Sequence, residues 1–178
     1  MKQTLLLPLF ILFIHCGNTK NNNENKTTEN LKNVVLKNSS CPEDGICTIE
    51  IIKNKSLLLK NDEIDALYYQ MTDNDDTSII KFEYQKNTEK ELQDANYREE
   101  LIFEIKNTDT YLKLENDNLK TIKMLFGKHC FCRGQAGYYN VKEGKFNLTK
   151  ENGGYTISLN FITNEVPQVI KKINAFVQ

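Results

Sequence analysis

The chain has 178 residues, of which 39% are hydrophobic and 26% are charged, and its 23 basic and 24 acidic residues give a net charge of −1. This balance is unlike the basic surface of a nucleic-acid-binding protein and unlike a polyacidic binding surface. Arginine, the residue best suited to bidentate phosphate contacts, occurs only at Arg98 and Arg133. We therefore predict no nucleic-acid partner.

The first fifteen residues have the pattern of an export signal. Lys2 precedes an apolar run over residues 5–14 that only Pro8 interrupts. A transmembrane helix needs about 20 apolar residues, so this run is too short to span a bilayer. An apolar run of this length behind a basic start is typical of a signal peptide, and we assign residues 1–15 to one.

Cys16 follows directly, where an ordinary signal peptidase site would have small residues. This arrangement resembles the lipobox of bacterial lipoproteins, in which the cysteine carries a diacylglycerol anchor and the preceding residues are removed. Phe13 and His15 depart from the usual pattern, which has an aliphatic residue three before the cysteine and Gly, Ala or Ser immediately before it. The resemblance implies acylation of Cys16 and attachment to a membrane of the cell envelope. We expect the outer membrane, with the choice between its periplasmic and exterior sides left open.

Residues 16–33 continue this pattern as the acylated cysteine and a polar linker. Residues 17–33 contain almost no apolar side chain, so they cannot bury enough surface to offset the entropy of ordering, and they predict a flexible tether. The two or three acyl chains of a lipoprotein give stable attachment where one would be marginal. The composition, poor in arginine and rich in Asn, Lys and Ile, and the sequences CPEDGIC and LFGKHCFCRGQAGYY are similar to lipoproteins of the Bacteroidota, flavobacteria in particular. That resemblance implies no activity.

Residues 34–178 have a length that suits one domain with one core. Apolar and polar residues alternate most clearly over residues 155–161, directly after Gly153 and Gly154, which predicts a strand with one buried face. The same pattern predicts further strands at residues 48–52, 56–60, 80–84, 101–105, 110–115, 119–126, 138–142 and 145–149. The domain is therefore predicted to be mainly β, an antiparallel β-sandwich or open barrel.

Two segments have apolar residues at helical spacing instead. One follows Asn61 and Asp62, and its apolar residues are Ile64, Leu67, Tyr68 and Met71. The other has Pro167 near its start, and its apolar residues are Val166, Val169, Ile170, Ile173 and Val177. They predict a short helix within residues 64–71 and a short C-terminal helix, both packed on the core.

With Cys16 acylated, four cysteines remain, and an even number in an oxidising compartment predicts two disulfides. They are Cys41, Cys47, Cys130 and Cys132. If the C-x-C segment is extended, its two side chains point to the same face and are poorly placed for each other. We favour two long-range bridges between the CPEDGIC loop and the C-x-C segment, with a local bridge from Cys41 to Cys47 as the alternative.

The same region supports two other hypotheses. His129, Cys130 and Cys132 offer an imidazole and two thiolates for Cu(I) or Zn(II), although structural zinc sites usually place two or more residues between paired cysteines. Alternatively, the C-x-C segment is a redox-active dithiol whose thiol pKa is lowered by Lys128, His129 and Arg133. The usual redox motif is C-x-x-C at a helix start, so we assign no metal and treat both as alternatives.

Enzyme classes have little support. G-x-S-x-G, H-E-x-x-H, P-loop and dinucleotide-binding motifs do not occur, and His129 is the one histidine of the mature chain. We assign Glu99 and Glu100 to a strand edge and residues 72–78 to a solvated loop that lacks the pattern of a calcium-binding EF-hand. We therefore predict no catalytic residue and no cofactor.

Glycines flank the C-x-C segment, and aromatic residues and arginine, which are favoured at recognition surfaces, lie close to it. The candidate binding surface consists of Arg133, Gln135, Tyr138 and Tyr139. The sequence thus predicts a membrane-anchored envelope lipoprotein that acts as a non-enzymatic binding or structural module for an envelope protein or small-molecule ligand. The alternative is a thiol redox or soft-metal protein that uses Cys130 and Cys132.

Overall fold

The computed structural model describes residues 41–88 and 96–178. The predicted signal peptide (1–15), the acylated Cys16 and the linker (16–33) lie outside the described residues. Within the described ranges the elements are β1 (Gly45–Asn61), β2 (Leu67–Lys86), β3 (Arg98–Lys106), β4 (Tyr111–Glu115), a 3₁₀ helix (Asn116–Ile122), β5 (Leu125–His129), β6 (Gly137–Asn140), β7 (Glu143–Glu151), β8 (Gly154–Ile162) and β9 (Lys172–Val177).

The strands form two open antiparallel sheets, which confirms the predicted mainly β class and excludes a closed barrel. The orders are β1-β2-β3-β5-β6 in the five-stranded sheet and β4-β7-β8-β9 in the four-stranded sheet. Their facing sides share one hydrophobic core, in which the rings of Phe103 and Phe146 are 5.0 Å apart and those of Phe126 and Phe161 are 5.9 Å apart. The predicted alternation at 155–161 places its apolar side chains in this core.

The five-stranded sheet is covered on both faces. On β2, Ile80 and Phe82 point to the inner face, toward the four-stranded sheet, whereas Ile79 points to the opposite, outer face, and all three are buried. On β3 every residue from 99 to 103 is buried. A sheet with one solvated face would alternate between buried and exposed residues, so another part of the chain must cover the outer face.

That cover is the far half of the hairpin made by β1 and β2. The pairing register jumps from Lys53 opposite Ser78 to Lys55 opposite Asp73, which leaves residues 74–77 facing Asn54 alone. Asn54 has φ of 58°, a left-handed conformation that asparagine tolerates better than most residues. Irregularities of this kind bend a hairpin and change its direction. We call residues 55–73, beyond the bend, the arm.

The arm packs on the outer face through Leu57, which is buried with Ile79, Ile102 and Leu125. Glu104 fixes it at the bend. Its Oε2 accepts hydrogen bonds from Ser56 Oγ (2.7 Å), Leu57 N (2.7 Å) and Lys123 Nζ (2.8 Å).

Lys123 Nζ also donates to the Leu57 carbonyl oxygen (2.8 Å). Burial opposes ionisation of Glu104, but the bonds from Lys123, Ser56 and Leu57 outweigh burial and lower the pKa of this carboxyl. The arm is therefore held by apolar packing along its length and by one ionised carboxylate at its base.

The predicted C-terminal helix is wrong. Residues 172–177 form the edge strand β9, in which Ile173, Ala175 and Val177 alternate into the core, and Val166 and Ile170 are buried in the loop that precedes it. The apolar residues looked helical in their spacing because they belong to two different elements. Some lie in an irregular loop, and the others lie in a strand whose side chains alternate with a period of two. Among the described residues, no helix has the length and apolarity that a membrane span requires.

The other predicted helix is also wrong, because its start is a turn and its end is strand β2. Asp62 Oδ1 accepts hydrogen bonds from the backbone N–H groups of Ile64 (2.9 Å) and Ala66 (2.8 Å), which closes the tip of the arm as a turn where we predicted the start of a helix. The first half of the strand predicted at 119–126 is instead the end of the 3₁₀ helix, and strand β5 begins only at Leu125. The buried Leu119 and Ile122 are three residues apart, which is one turn of a 3₁₀ helix.

Candidate functional site

A groove lies between the tip of the arm and strand β6. Its volume is about 370 Å³, at the lower end of the range for ligand-binding pockets. The arm contributes Asn61 and residues 65–67, β6 and the residue before it contribute residues 136–140, and the remaining wall comes from Lys142 and Glu165. We call it the β6 groove.

The arm side of the groove is a closed turn. Besides the two bonds to Asp62, Asn61 Nδ2 donates to Asp65 Oδ1 over 2.6 Å, and Asp65 has φ of 65°. The turn leaves Ile64 85% exposed at its outermost point. This wall is therefore fixed by its own hydrogen bonds before any ligand binds.

The opposite wall is an open sheet edge, because β6 is the last strand of the five-stranded sheet and, among the described strands, pairs only with β5. The Val141 N–H donates to the Met124 carbonyl oxygen over 3.2 Å, so residues 141 and 124 form a hydrogen-bonded pair. Such pairs alternate along an antiparallel ladder. The backbone N–H and C=O groups of Tyr138 and Asn140 must then point away from β5, toward the groove.

The charged groups of the groove are one lysine and two acids. Lys142 Nζ lies 2.9 Å from Glu165 Oε1, and this contact raises the pKa of Lys142 and lowers that of Glu165. Asp65 lies on the arm side. The groove therefore has an excess of one negative charge.

A tyrosine and carboxylate cluster lies beneath the groove, on the outer face of the sheet. Glu100, only 3% exposed, accepts hydrogen bonds at Oε1 from the hydroxyls of Tyr69 (2.9 Å) and Tyr138 (3.3 Å). The two rings meet edge to face at 5.1 Å. Burial and the charge of Glu100 raise the pKa of Tyr138 to about 12 and raise that of Tyr69 as well. Both phenols therefore remain hydrogen-bond donors, and they join the arm to β6.

His129 completes this cluster. Its ring meets that of Tyr138 at 5.3 Å, and its buried Nε2 has no hydrogen-bond partner among the described residues. Burial and the charge of Arg98 lower the pKa of His129, so the imidazole is neutral at neutral pH. A Cβ atom at Gly127 would lie 2.6 Å from the Tyr138 ring and 2.9 Å from His129 Nε2, so a side chain at this position would displace both rings.

A second pair of buried charges lies on the inner face. Glu99 is 1% exposed and accepts hydrogen bonds from the Tyr97 hydroxyl and from the N–H groups of Val169 and Ile170, both at 2.7 Å. Its neighbour in the ladder, Lys128, donates to the Pro167 carbonyl (2.8 Å) and to Gln135 Oε1 (2.9 Å). Their partners are loop groups, so this pair fixes the loops around it. The predicted strand-edge position of Glu99 and Glu100 is wrong, since both lie buried within β3.

The four residues of the predicted binding surface do not form one surface. Tyr138 faces the outer side, whereas Tyr139 packs against the inner core and its hydroxyl donates to the Gln135 carbonyl over 3.0 Å. Gln135 is engaged by Lys128, and Arg133 is exposed. Of these four residues, only Tyr138 and Tyr139 line the groove. Sequence reasoning missed Tyr69 and Asp65, because only the folded arm brings them to β6. It also missed the role of Glu100, which the pairing of β3 with β5 and of β5 with β6 places in line with Tyr138.

Both cysteine pairs are bridged, but locally. Cys41 is bonded to Cys47 and Cys130 to Cys132, with Cα atoms 5.7 and 5.2 Å apart. The preferred long-range connectivity is therefore wrong. It assumed an extended C-x-C segment, whose Cα atoms would be about 6.6 Å apart, whereas these residues leave β5 and enter a turn. Among the described residues no group of three potential metal ligands occurs, so His129, Cys130 and Cys132 are not assembled as a site.

Comparison of the chain with protein-family models, with curated proteins and with solved structures found no match. The features of the chain that point to a function are therefore the sequence pattern at its N-terminus and the geometry of the β6 groove.

Proposed function

We propose that this chain is a lipid-anchored protein of the bacterial cell envelope whose folded domain binds an extended peptide segment of another envelope protein. The observation that carries the binding part is the β6 groove, which has an open strand edge as one wall and a closed turn as the other. An extended peptide that adds to a sheet edge gains main-chain hydrogen bonds, and its alternate side chains enter the adjoining space.

Charge and size favour a peptide with a basic side chain. Asp65 and Glu165 contribute two negative charges against the single positive charge of Lys142. The outward groups of Tyr138 and Asn140 can pair with a short stretch of extended backbone, and the groove has room for one or two side chains.

The anchoring part is supported by the apolar start of the chain, Cys16 and the polar residues that follow. Residues 17–40 connect Cys16 to the first described residue, and 24 residues span at most about 80 Å. Cys41 leads into β1, which lies at the opposite edge of the five-stranded sheet from β6. Four strand spacings of about 4.8 Å separate these edges, so the groove lies away from the point of attachment.

Binding is tested by selecting peptides that bind the full chain from a library of displayed ten-residue peptides. The affinity of the selected peptides is then measured for the parent chain and for the variant Asn140→Pro. Because the Asn140 N–H points to the open edge, proline removes it without breaking the β5 ladder. We expect the selected peptides to contain a lysine or arginine, and their affinity to fall about tenfold or more in this variant.

Lys113→Pro is the matched control. Thr110 and Lys150 form a hydrogen-bonded pair, so by alternation the Lys113 N–H also points outward, at the edge of the four-stranded sheet. This variant should bind the peptides within about twofold of the parent chain. Failure to select any peptide, or equal binding by Asn140→Pro, would contradict peptide binding at β6.

Anchoring is tested separately in a bacterial host by Cys16→Ala. The parent chain should fractionate with membranes, and its N-terminal peptide should have the mass of an acylated cysteine. The variant should leave the membrane fraction while its folded domain stays intact. An unacylated Cys16 in the parent chain would refute the anchor and leave the groove proposal unaffected.

A further inference from the structure

The two disulfides lie in different surroundings. Cys41 and Cys47 pack against the main hydrophobic core, and Cys41 Sγ also contacts the Gly45 carbonyl oxygen over 3.8 Å. Cys130 and Cys132 belong to neither hydrophobic cluster of the described residues. They lie in the loop between β5 and β6 and, like Cys41 and Cys47, are partly exposed. Phe131, the residue enclosed by this bridge, is 90% exposed.

The second bridge also closes the shorter loop. It spans three residues, whereas the first spans seven, and the constraint that a disulfide places on the unfolded chain decreases as the loop shortens. Other contacts already hold this region. Lys128 is hydrogen-bonded to Gln135 and Pro167, and Tyr139 to the Gln135 carbonyl. None of these contacts involves the bridge, so we expect the fold to stay in place when the bridge is reduced.

The local charge favours a thiolate. Arg133 directly follows Cys132 and is exposed, so its positive charge lies next to the bridge in the chain. Positive groups near a cysteine stabilise its thiolate, which makes that sulfur a better leaving group in thiol exchange. Exposure does not separate the two bridges, since all four cysteines are partly buried. Packing does, because Cys41 and Cys47 lie against the core and the other bridge is more open to an attacking thiolate.

We infer that the Cys130–Cys132 bridge is an exchangeable disulfide that oxidises a dithiol segment of another protein, with Phe131 as the apolar contact to that segment. This inference is independent of peptide binding at β6. A thiolate of the partner attacks one sulfur of the bridge, the S–S bond breaks, and the departing cysteine thiolate takes up a proton.

The second thiolate of the partner then attacks the partner's first sulfur in the mixed disulfide. The bond to this chain breaks, and its remaining cysteine is released as a thiolate that takes up a proton. One partner dithiol becomes a disulfide, and Cys130 and Cys132 become two thiols. Exchange with a disulfide of a further envelope protein restores the bridge by the reverse steps.

Trypsin separates the two bridges, because cleavage after Lys128 and Arg133 releases residues 129–133 and cleavage after Lys37 and Lys53 releases residues 38–53. The full chain in detergent is equilibrated with graded ratios of reduced to oxidised dithiothreitol, quenched, alkylated and mapped by mass. We expect peptide 129–133 to be doubly alkylated at a ratio about tenfold or more below that needed for peptide 38–53. Reduction of both at the same ratio, or of 38–53 first, would overturn the inference.

The exchange itself is tested with a synthetic peptide that contains two reduced cysteines. Loss of its thiols should match the appearance of doubly alkylated 129–133 one for one. Cys132→Ser should abolish peptide oxidation, whereas the paired variant Cys41→Ala with Cys47→Ala should retain it. Phe131→Ser should slow exchange with the peptide and leave the dithiothreitol midpoint unchanged, and an unchanged peptide rate would refute the contact assigned to Phe131.

Discussion

The two faces of the five-stranded sheet are built by the same strands and yet held differently. On the inner face, β2 and β3 contribute only apolar side chains at the centre, such as Ile80 and Phe103. On the outer face the same strands place the carboxylates of Glu100 and Glu104 beside Ile79 and Ile102. Each carboxylate receives hydrogen bonds from the arm. The centre of the inner face is therefore closed by apolar area, with Glu99 and Lys128 bonded to loops at one end. The outer face is closed by hydrogen bonds that fix the position of the arm.

The difference has energetic consequences. Burying a large apolar side chain contributes about 1.5 to 3 kcal/mol and has no preferred direction. A hydrogen bond contributes a net of about 0.5 to 1.5 kcal/mol, but a buried group left without its partner costs more than that. The inner face therefore supplies most of the stability, and the outer face fixes where the arm lies. Since the arm forms one wall of the β6 groove, the outer face determines the shape of the groove.

The largest effect is expected from the inner face. Phe103→Ala removes a ring that contacts Phe146 at 5.0 Å in the shared core, and truncation of a buried phenylalanine costs about 3 to 5 kcal/mol. Chemical denaturation should show this loss in the free energy of unfolding. Tyr111→Ala, at an aromatic residue that is 60% exposed, should change it by about 0.5 kcal/mol or less. Similar losses in the two variants would refute the assignment of stability to the inner face.

A smaller and local effect is expected at the base of the arm. Glu104→Ala leaves the Leu57 N–H and the Lys123 ammonium without their acceptor, which costs about 1 to 3 kcal/mol. Hydrogen exchange should accelerate in residues 55–73 and stay unchanged in β7 and β8. Glu115→Ala, at an exposed carboxylate of β4, is the control. Uniform acceleration across both sheets would mean that the arm is not a separate unit.

This comparison also explains which parts of the fold could be predicted from sequence. The inner face could, because a strand with one apolar face has a period of two, as at 80–84, 101–105 and 155–161. The arm could not, because its contacts join positions far apart in the chain, such as Leu57 with Glu104 and Tyr69 with Glu100. The bend at Asn54 leaves only a weak signal, a cluster of polar residues in both strands.

The candidate site was predicted in part for the same reason. Tyr138 and Tyr139 stood out by composition, but consecutive strand residues point to opposite faces, so only a structure could separate their roles. The cysteines were recognised as disulfide-forming, and their pairing was mistaken because the segment after β5 turns instead of extending. The spacing of apolar residues near the C-terminus resembled a helix because Val166 and Ile170 are buried in a loop.

The pH dependence of the free energy of unfolding should distinguish His129, in the tyrosine and carboxylate cluster, from Glu104 at the base of the arm. The pKa of His129 is lowered in the folded state, so between the unfolded value of about 6.5 and the lower folded value the unfolded chain binds more protons. The free energy of unfolding should therefore fall as pH decreases from about 6.5 through the folded pKa. His129→Gln should remove this part of the slope.

The contribution of Glu104 belongs to a separate and more acidic window. Its pKa is lowered from 4.5, so its stabilisation is complete above that pH and is lost as pH falls through the folded value. His129→Gln should leave this acidic part unchanged. A slope near pH 6 that persists in the variant would show that another group titrates there.

The smallest effect on stability is expected at Arg98, which pairs with Glu83 at 3.0 Å on the outer face and is itself 38% exposed. Arg98→Gln should change the free energy of unfolding by about 1 kcal/mol or less. It should nevertheless raise the pKa of His129, because it removes a positive charge that opposes protonation and leaves Glu83 unpaired. Lys81→Gln, which breaks the pair with Glu50 on the same face, should leave that pKa unchanged. Titration of the His129 ring by NMR measures this pKa in both variants. An unchanged pKa in Arg98→Gln would mean that burial alone keeps the imidazole neutral, and the outer face would then act on this cluster through packing and not through charge.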